Sequence, residues 1–87
     1  MREVTWSTDA VEQLLEIARS DPRQANRIRE GVVRFSRDEA RDIKKLRGVS
    51  NEWRLRLGDW RIRFEERPGG QTVLIAVTNR RDAYDDD

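Results

Sequence analysis

Cysteine and histidine are both absent from this chain of 87 residues. Without cysteine the protein has no disulfide, no thiolate nucleophile and no zinc finger. Without histidine it has no imidazole to serve as a base, a metal ligand or a pH switch. The side chains that most often catalyse reactions or bind metals are therefore missing, and we expect neither a metal site nor a cofactor.

A signal peptide and an apolar run of about 20 residues are also absent. We therefore expect a cytoplasmic protein that does not act at a membrane. A chain of this length buries only somewhat more than about 60 % of its unfolded surface, which favours one core and a functional site in a surface cleft. We expect residues 1–84 to form a single domain and the three aspartates at 85–87 to form an acidic tail.

The charge is balanced overall but unevenly distributed. The chain has 18 Lys+Arg against 17 Asp+Glu, yet residues 41–63 contain eight cations and three anions. Lys44 and Lys45 are the only lysines, and arginine is the better residue for bidentate binding of phosphate. Codon usage in a GC-rich genome explains a high arginine count equally well. The positions of the arginines, rather than their number, must therefore indicate function.

The first half of the chain has the pattern of a strand followed by two helices. Residues 2–6 predict a short strand, and Ser7 is a suitable N-cap for the first helix. Asp21 is a suitable N-cap for the second helix, with Pro22 in its first turn and Gln24 placed to complete a capping box. We expect the second helix to end near Arg37. The two apolar stripes at helical spacing are Val11, Leu14, Leu15 and Ala18, then Ala25, Ile28, Val32 and Phe35.

In the second half the apolar period changes to two. Residues 53–57 and 60–64 alternate around Gly58-Asp59, which predicts a hairpin with a two-residue turn. Pro68-Gly69-Gly70 predicts the next turn, and the continuous apolar run 73–77 predicts a central strand covered on both faces. Residues 40–48 fit either an extension of the helix or a basic connector.

The predicted fold class is α+β. The order is an N-terminal strand, a two-helix hairpin and a three-stranded antiparallel meander, with the helices packed on one face of a small sheet. The other face of that sheet is expected to be partly open.

The hairpin register places arginines opposite one another. If Leu57 faces Trp60, the alternation puts Arg56 opposite Arg61 and Arg54 opposite Arg63, all on one face. Directly opposed like charges destabilise a sheet by about 0.2–1 kcal/mol per pair, so we predict an anionic ligand on this face. The alternative is that Glu52, Glu65 and the acidic tail neutralise these arginines within the protein.

A second polar cluster, residues 79–84, follows the predicted central strand. Residues that follow a central strand can reach the rim of the open face, so Arg80, Arg81 and Tyr84 are candidates for the same site. By itself, Arg-Arg-Asp near a chain end is more often solvated than part of a site, and a lone tyrosine is more often a packing residue.

Together these segments resemble the RelE/ParE superfamily of toxins from bacterial type II toxin–antitoxin pairs. The resemblance rests on Lys-Lys-Leu-Arg-Gly at 44–48, Trp-Arg-Leu-Arg-Leu-Gly-Asp-Trp-Arg-Ile at 53–62 and Arg-Arg-Asp-Ala-Tyr at 80–84. It covers nearly the whole chain and is strongest for the RelE-like branch. RelE-like members are ribosome-dependent endoribonucleases that cleave mRNA in the ribosomal A site, whereas ParE-like members poison DNA gyrase.

The resemblance implies a role for each matching residue. The implied catalytic residues are Arg54, Arg56, Arg61, Arg80, Arg81 and Tyr84, with Tyr84 as the base. Residues expected to contact RNA are Lys44, Lys45, Arg47 and Arg63. The implied partners are a cognate antitoxin, the ribosome and mRNA. Two departures are Asn79, where many relatives have histidine, and arginine in place of lysine at 54 and 56.

Metal-free RNA cleavage needs a base for the ribose 2′-hydroxyl, cations for the phosphorane and an acid for the departing oxygen. Tyr84 would be the base if nearby arginines lower its pKa from about 10. Guanidinium, with a pKa above about 12, is a poor general acid, although positioning by the ribosome can supply much of the rate. The open alternatives are a ParE-like gyrase inhibitor without catalysis and an inactive RNA or ribosome binder.

Overall fold

Two helices and five strands make up the computed structural model, which describes residues 2–40, 42–46, 48 and 51–79. In chain order the elements are β1 Glu3–Trp6, α1 Thr8–Ser20, α2 Pro22–Ser36, β2 Ile43–Lys45, β3 Glu52–Leu57, β4 Trp60–Arg67 and β5 Gln71–Asn79. Neither helix of the described chain has the length and apolar content needed to span a membrane.

The strands form one sheet in the order β1-β5-β4-β3-β2. β1 runs parallel to β5, and the other neighbouring strands are antiparallel. Both helices pack on one side of this sheet, and the core lies between the helices and the sheet. The predicted α+β class, helix hairpin and antiparallel meander are confirmed.

The segment that the sequence left ambiguous contains an additional strand. Ile43 pairs with Leu55, Lys44 with Arg54 and Lys45 with Trp53, so β2 forms an edge of the sheet beside β3. A three-residue edge strand with two lysines is typical of protection against edge-to-edge association. Residues 43–45 therefore pair as an edge strand, whereas the sequence analysis expected a helix extension or a basic connector.

Aromatic and branched side chains from α2 and the sheet form the core. All four residues of the predicted α2 stripe are buried, and Phe35 packs on Phe64 with ring centroids 4.7 Å apart. Leu55 and Ile62 are fully buried beneath them. The predicted apolar side of the β3–β4 hairpin therefore faces the helices.

A bulge in β5 changes the spacing of its buried residues. Arg63 pairs with Ala76 but Phe64 pairs with Leu74, so Ile75 is the extra residue. Leu74 and Val77 both reach the core as a result, although they are three residues apart. The expectation of full cover on both faces was wrong, because Ile75 and Ala76 on the bulge remain half-exposed.

The predicted stripe of α1 is only partly correct. Ala10 is fully buried, and Leu14 and Ile17 pack against the core, whereas Val11 is 40 % and Leu15 54 % exposed. The side of α1 that meets the sheet is therefore centred on Ala10. The outer side of the stripe, at Val11 and Leu15, is exposed.

Both predicted N-caps are present, but the capping box is incomplete. Ser7 Oγ accepts from the Ala10 N–H at 3.1 Å, and Asp21 Oδ1 accepts from the Gln24 N–H at 3.3 Å. The Gln24 side chain does not return to Asp21, whose N–H donates to the Ile17 carbonyl at 2.8 Å. Gln24 Oε1 accepts instead from the indole Nε1–H of Trp60 at 3.0 Å, which ties α2 to the hairpin.

Candidate functional site: the arginine face of the hairpin

The turn at Gly58-Asp59 fixes the geometry of the β3–β4 hairpin. Gly58 has φ 61° while Asp59 does not have positive φ, which matches the II′ turn that suits two-residue hairpins. The register confirms that Arg56 lies opposite Arg61. Arg54 lies opposite Arg63 one step further from the turn.

These four residues form what we call the arginine face, on the side of the sheet away from the helices: Arg54, Arg56, Arg61 and Arg63. β2 adds Lys44 directly opposite Arg54, so three cations follow one another across β2, β3 and β4. Lys45 lies on the other side, where its Nζ is 5.9 Å from the centre of the Trp53 ring. Only one of the two lysines expected to contact RNA therefore shares this face.

Two of the arginines are buried despite their charge. Arg54 is 5 % and Arg61 8 % exposed. Burying a charged side chain is costly unless it is paired or hydrogen-bonded, so a buried position needs a compensating anion. For Arg54 part of that compensation comes from Asp42, whose Oδ1 is 3.5 Å from Nη2.

Carboxylates of the described residues pair with some of these arginines. Glu52 accepts from Arg63 Nη2 at 2.5 Å, as the alternative interpretation expected. Glu65 does not contribute, because its carboxylate pairs with Arg67 at 3.1 Å. Arg56 has no carboxylate within 4.0 Å among the described residues.

Polar side-chain atoms shielded from solvent lie on this face. Within the described chain the Nε atoms of Arg54 and Arg61 are shielded from solvent and have no hydrogen-bond partner, although both side chains make other contacts. Thr78 lies opposite Arg61 on β5, and its buried Oγ1 has no hydrogen-bond partner in the described chain. Guanidinium groups held in this way can bind a phosphate and stabilise negative charge on its oxygens.

Asp42 is a site residue that the sequence analysis missed. It lies in the ambiguous segment, where no register could place it beside Arg54. The alternation of charged Asp42, apolar Ile43 and charged Lys44 is the pattern of an edge strand and would have indicated it.

Four predicted site residues lie outside the described residues: Arg47, Arg80, Arg81 and Tyr84. The acidic tail at 85–87 lies outside them as well. The last described residue, Asn79, pairs with Trp60, so β5 ends beside the hairpin turn and the arginine face. In the described ranges no three side chains of the metal-binding types come together.

Comparison with known proteins assigns the family. Residues 4–84 match the model of the ParE toxin of the type II toxin–antitoxin system parDE. The chain belongs to this toxin family. Its membership of the RelE/ParE superfamily is thereby confirmed, while the RelE-like branch remains a prediction. Comparison with the curated proteins gives no match.

Solved structures of other toxins share the fold of this toxin. RelB–RelE of Methanococcus jannaschii, an antitoxin–toxin complex, matches at a TM-score of 0.70 and 22 % identity over 92 % of this chain and 94 % of that one. RelBE2 of Mycobacterium tuberculosis, also a toxin–antitoxin complex, matches at 0.68 and 24 % identity over 91 % and 98 %. The YoeB dimer of Staphylococcus aureus matches at 0.67 and 16 % identity over 86 % and 92 %.

Proposed function

We propose that this toxin is a ribosome-dependent mRNA endoribonuclease that acts in the cytoplasm and inhibits translation. The observation that supports this proposal is the arginine face, where like charges lie opposite one another and two guanidinium groups are buried. Directly opposed like charges destabilise a hairpin, and guanidinium groups are suited to bidentate binding of phosphate, so the arrangement favours an anionic ligand.

In the proposed reaction the ribose 2′-hydroxyl attacks the adjacent phosphorus. The new P–O2′ bond gives a 2′,3′-cyclic phosphate, and the P–O5′ bond breaks to release a 5′-hydroxyl end. Tyr84 takes the proton of the 2′-hydroxyl, and Arg54 and Arg61 stabilise the charge that develops on the phosphorane. Because guanidinium is a poor acid, we assign the proton that the departing oxygen takes up to solvent.

Primer extension on an mRNA translated in a purified system tests this reaction. We expect cuts within A-site codons that require ribosomes and disappear in Tyr84→Phe, which removes only the phenolic hydroxyl. Circular dichroism of the variant checks that its fold is unchanged. Full cleavage by Tyr84→Phe would exclude the tyrosine as the base, and stalled translation without cuts would indicate an inactive ribosome binder.

The family match favours a second candidate function, because the matching model is that of the ParE toxin. In this alternative the toxin inhibits DNA gyrase by binding and catalyses no reaction. Toxicity would then be unaffected by Tyr84→Phe, and substitutions on the arginine face would weaken gyrase binding. A supercoiling assay with purified gyrase separates the two functions, since an endoribonuclease leaves supercoiling unchanged.

We further propose that a cognate antitoxin covers the outer side of the helix hairpin. Three large apolar side chains are exposed there: Val11 at 40 %, Leu15 at 54 % and Val33 at 47 %. An amphipathic segment of a partner would bind such a patch by burying its apolar surface. Leu15→Arg should therefore remain toxic but escape neutralisation in a co-expression growth assay. Neutralisation of Leu15→Arg at the wild-type level would exclude this surface.

A further inference from the structure

Helix α2 has a concentration of positive charge that the arginine face does not include. Residues 22–37 contain five arginines and one glutamate. Arg27 and Arg34 are seven residues apart, so they lie on the same side of the helix and about 10 Å apart along its axis. Both are exposed and line a cleft between α2 and the β3–β4 turn, which we call the α2 cleft.

The α2 cleft has the volume of a ligand site and a lining rich in charged residues. Its volume is about 580 Å³, within the range of about 300–1,000 Å³ typical of small-molecule sites. Five charged residues line it, three of them cationic: Arg27, Arg34, Arg56, Glu30 and Asp59. Among the described residues, none of these five side chains forms an ion pair.

One wall of the cleft is a fixed aromatic ring. The indole of Trp60 is half-exposed, and its Nε1–H donates to Gln24 Oε1 at 3.0 Å, which holds the ring against α2. Beside the cleft, the hairpin approaches the helix closely at Gly31. A Cβ at that position would lie 2.6 Å from Leu57 Cδ1, so glycine lets Leu57 seat against α2. This packing explains a glycine in mid-helix, where it otherwise costs about 1 kcal/mol.

We propose that the α2 cleft is a second RNA subsite, which binds one nucleotide of the strand held at the arginine face. The inference rests on the proposed function, because it takes RNA as the substrate. Arg56 connects the two surfaces: it lines the cleft and also lies opposite Arg61 on the arginine face. A single strand can therefore pass from one surface to the other around the hairpin turn.

The mixture of charges in the cleft favours a nucleotide over an acidic protein segment. A nucleotide offers an anionic phosphate to Arg27 and Arg34, and a neutral base that stacks on Trp60. Amino groups of the base can donate to Glu30 or Asp59. A segment of acidic side chains would match the arginines but would be repelled by both carboxylates, and it would not use the indole.

The direct test is binding of a single-stranded RNA 12-mer with 2′-O-methyl groups, which cannot be cleaved by 2′-hydroxyl attack. Fluorescence anisotropy is measured across a salt titration for Arg27→Gln/Arg34→Gln. The matched control is Arg23→Gln/Arg29→Gln, which removes the same charge from the side of α2 that faces α1. We expect about tenfold weaker binding by the cleft variant, with a salt slope smaller by about 0.7 from the one lost phosphate contact, and little change in the control.

A second variant pair tests the stacking. Trp60→Leu should weaken RNA binding about tenfold, and Trp60→Phe should retain most of the affinity because a ring remains. Thermal melts identify any loss of fold, and Trp60→Phe keeps the test valid if Trp60→Leu unfolds. Wild-type affinity for Trp60→Leu would overturn the stacking role.

Three results would overturn the proposal of an RNA subsite in the α2 cleft. They are equal weakening by both arginine pairs, no RNA binding by the wild type at low salt, and preferential binding of an acidic peptide in competition with RNA. The ribosomal cleavage assay separates this inference from the proposed function. If the wild type binds RNA through the cleft but cleaves no mRNA, the proposed function fails. If it cleaves mRNA but the cleft variant binds and cleaves normally, only the subsite fails.

Discussion

Arginines occupy two contrasting environments in this toxin. At one end of the sheet, Arg2 donates to Glu66, lies 3.4 Å from an oxygen of Asp38 and stacks over the Phe35 ring at 4.6 Å. Its backbone N–H also donates to the Ser36 carbonyl at 2.7 Å. At the other end, the arginine face places cations opposite cations across the hairpin.

Among the described residues, the two environments differ in how carboxylates and cations are arranged. One guanidinium at Arg2 has two carboxylates near it and an aromatic ring beneath it, which is a structural arrangement. The four arginines of the arginine face have ion pairs with Asp42 and Glu52 only, within the described chain. The arginine face also places like charges directly opposite one another, which is typical of a surface that binds an anion, although the residue type is the same.

The largest expected effect is on catalysis at the arginine face. Arg61→Ala should lower ribosome-dependent cleavage about 100-fold, equivalent to about 2.7 kcal/mol, because it removes a preorganised donor to the phosphorane. Arg67→Ala on the same strand is the matched control, since its exposed side chain pairs only with Glu65 in the described structure. Cleavage by Arg61→Ala at the rate of Arg67→Ala would contradict the role of the face.

Arg2→Ala should give the next largest effect, on stability. Leaving Glu66 without its cation, together with the loss of stacking on Phe35, should cost about 2 kcal/mol. In a domain of this size that lowers Tm by about 10 °C. Arg19→Ala is the control, because its exposed pair with Glu16 is worth less than about 0.5 kcal/mol. If urea titrations give the two variants equal free energies of unfolding, the contacts of Arg2 with Glu66 and Phe35 do not stabilise the fold.

Much of the fold was predictable because local chemistry determined it. The Gly58-Asp59 turn allows one register, and that register places every arginine of the arginine face. The N-caps at Ser7 and Asp21 likewise need only neighbouring backbone groups.

The features that escaped prediction depend on contacts distant in sequence. The strand β2 exists only because Ile43 pairs with Leu55, and three residues have too little pattern to predict it. The exposure of Leu15 depends on how α1 rests on the sheet. The Gln24 side chain accepts from the indole of Trp60, 36 residues away, instead of completing the capping box. In the candidate site the opposed arginines were predicted, whereas their burial and the pairing with Asp42 required the tertiary structure.

Glu52→Gln tests the same contrast by removing an anion from the arginine face rather than a cation. Removing this carboxylate releases Arg63 from its ion pair and should strengthen RNA binding about threefold at low salt. The free energy of unfolding should fall by less than about 1 kcal/mol, since Arg63 is partly exposed. Anisotropy and urea titration measure the two effects. Weaker RNA binding would mean that the ion pair positions Arg63 for its ligand.

The smallest expected effect is a gain in stability. Arg56→Thr removes one of two cations that lie opposite each other and should stabilise the fold by about 0.5 kcal/mol while lowering cleavage. Thermal melting at low salt measures the change, which should shrink as salt screens the repulsion. Destabilisation by Arg56→Thr would show that Arg56 has a structural role after all.

The most direct test of the central claim observes both groups of arginines at once. The Nε–H groups of Arg2, Arg54 and Arg61 are shielded from solvent, so each should give a resolved signal in a ¹⁵N–¹H NMR spectrum. On titration with a non-cleavable, 2′-O-methyl single-stranded RNA, our account predicts that the signals of Arg54 and Arg61 shift while that of Arg2 stays in place. A shift at Arg2 without shifts at Arg54 and Arg61 would contradict the account.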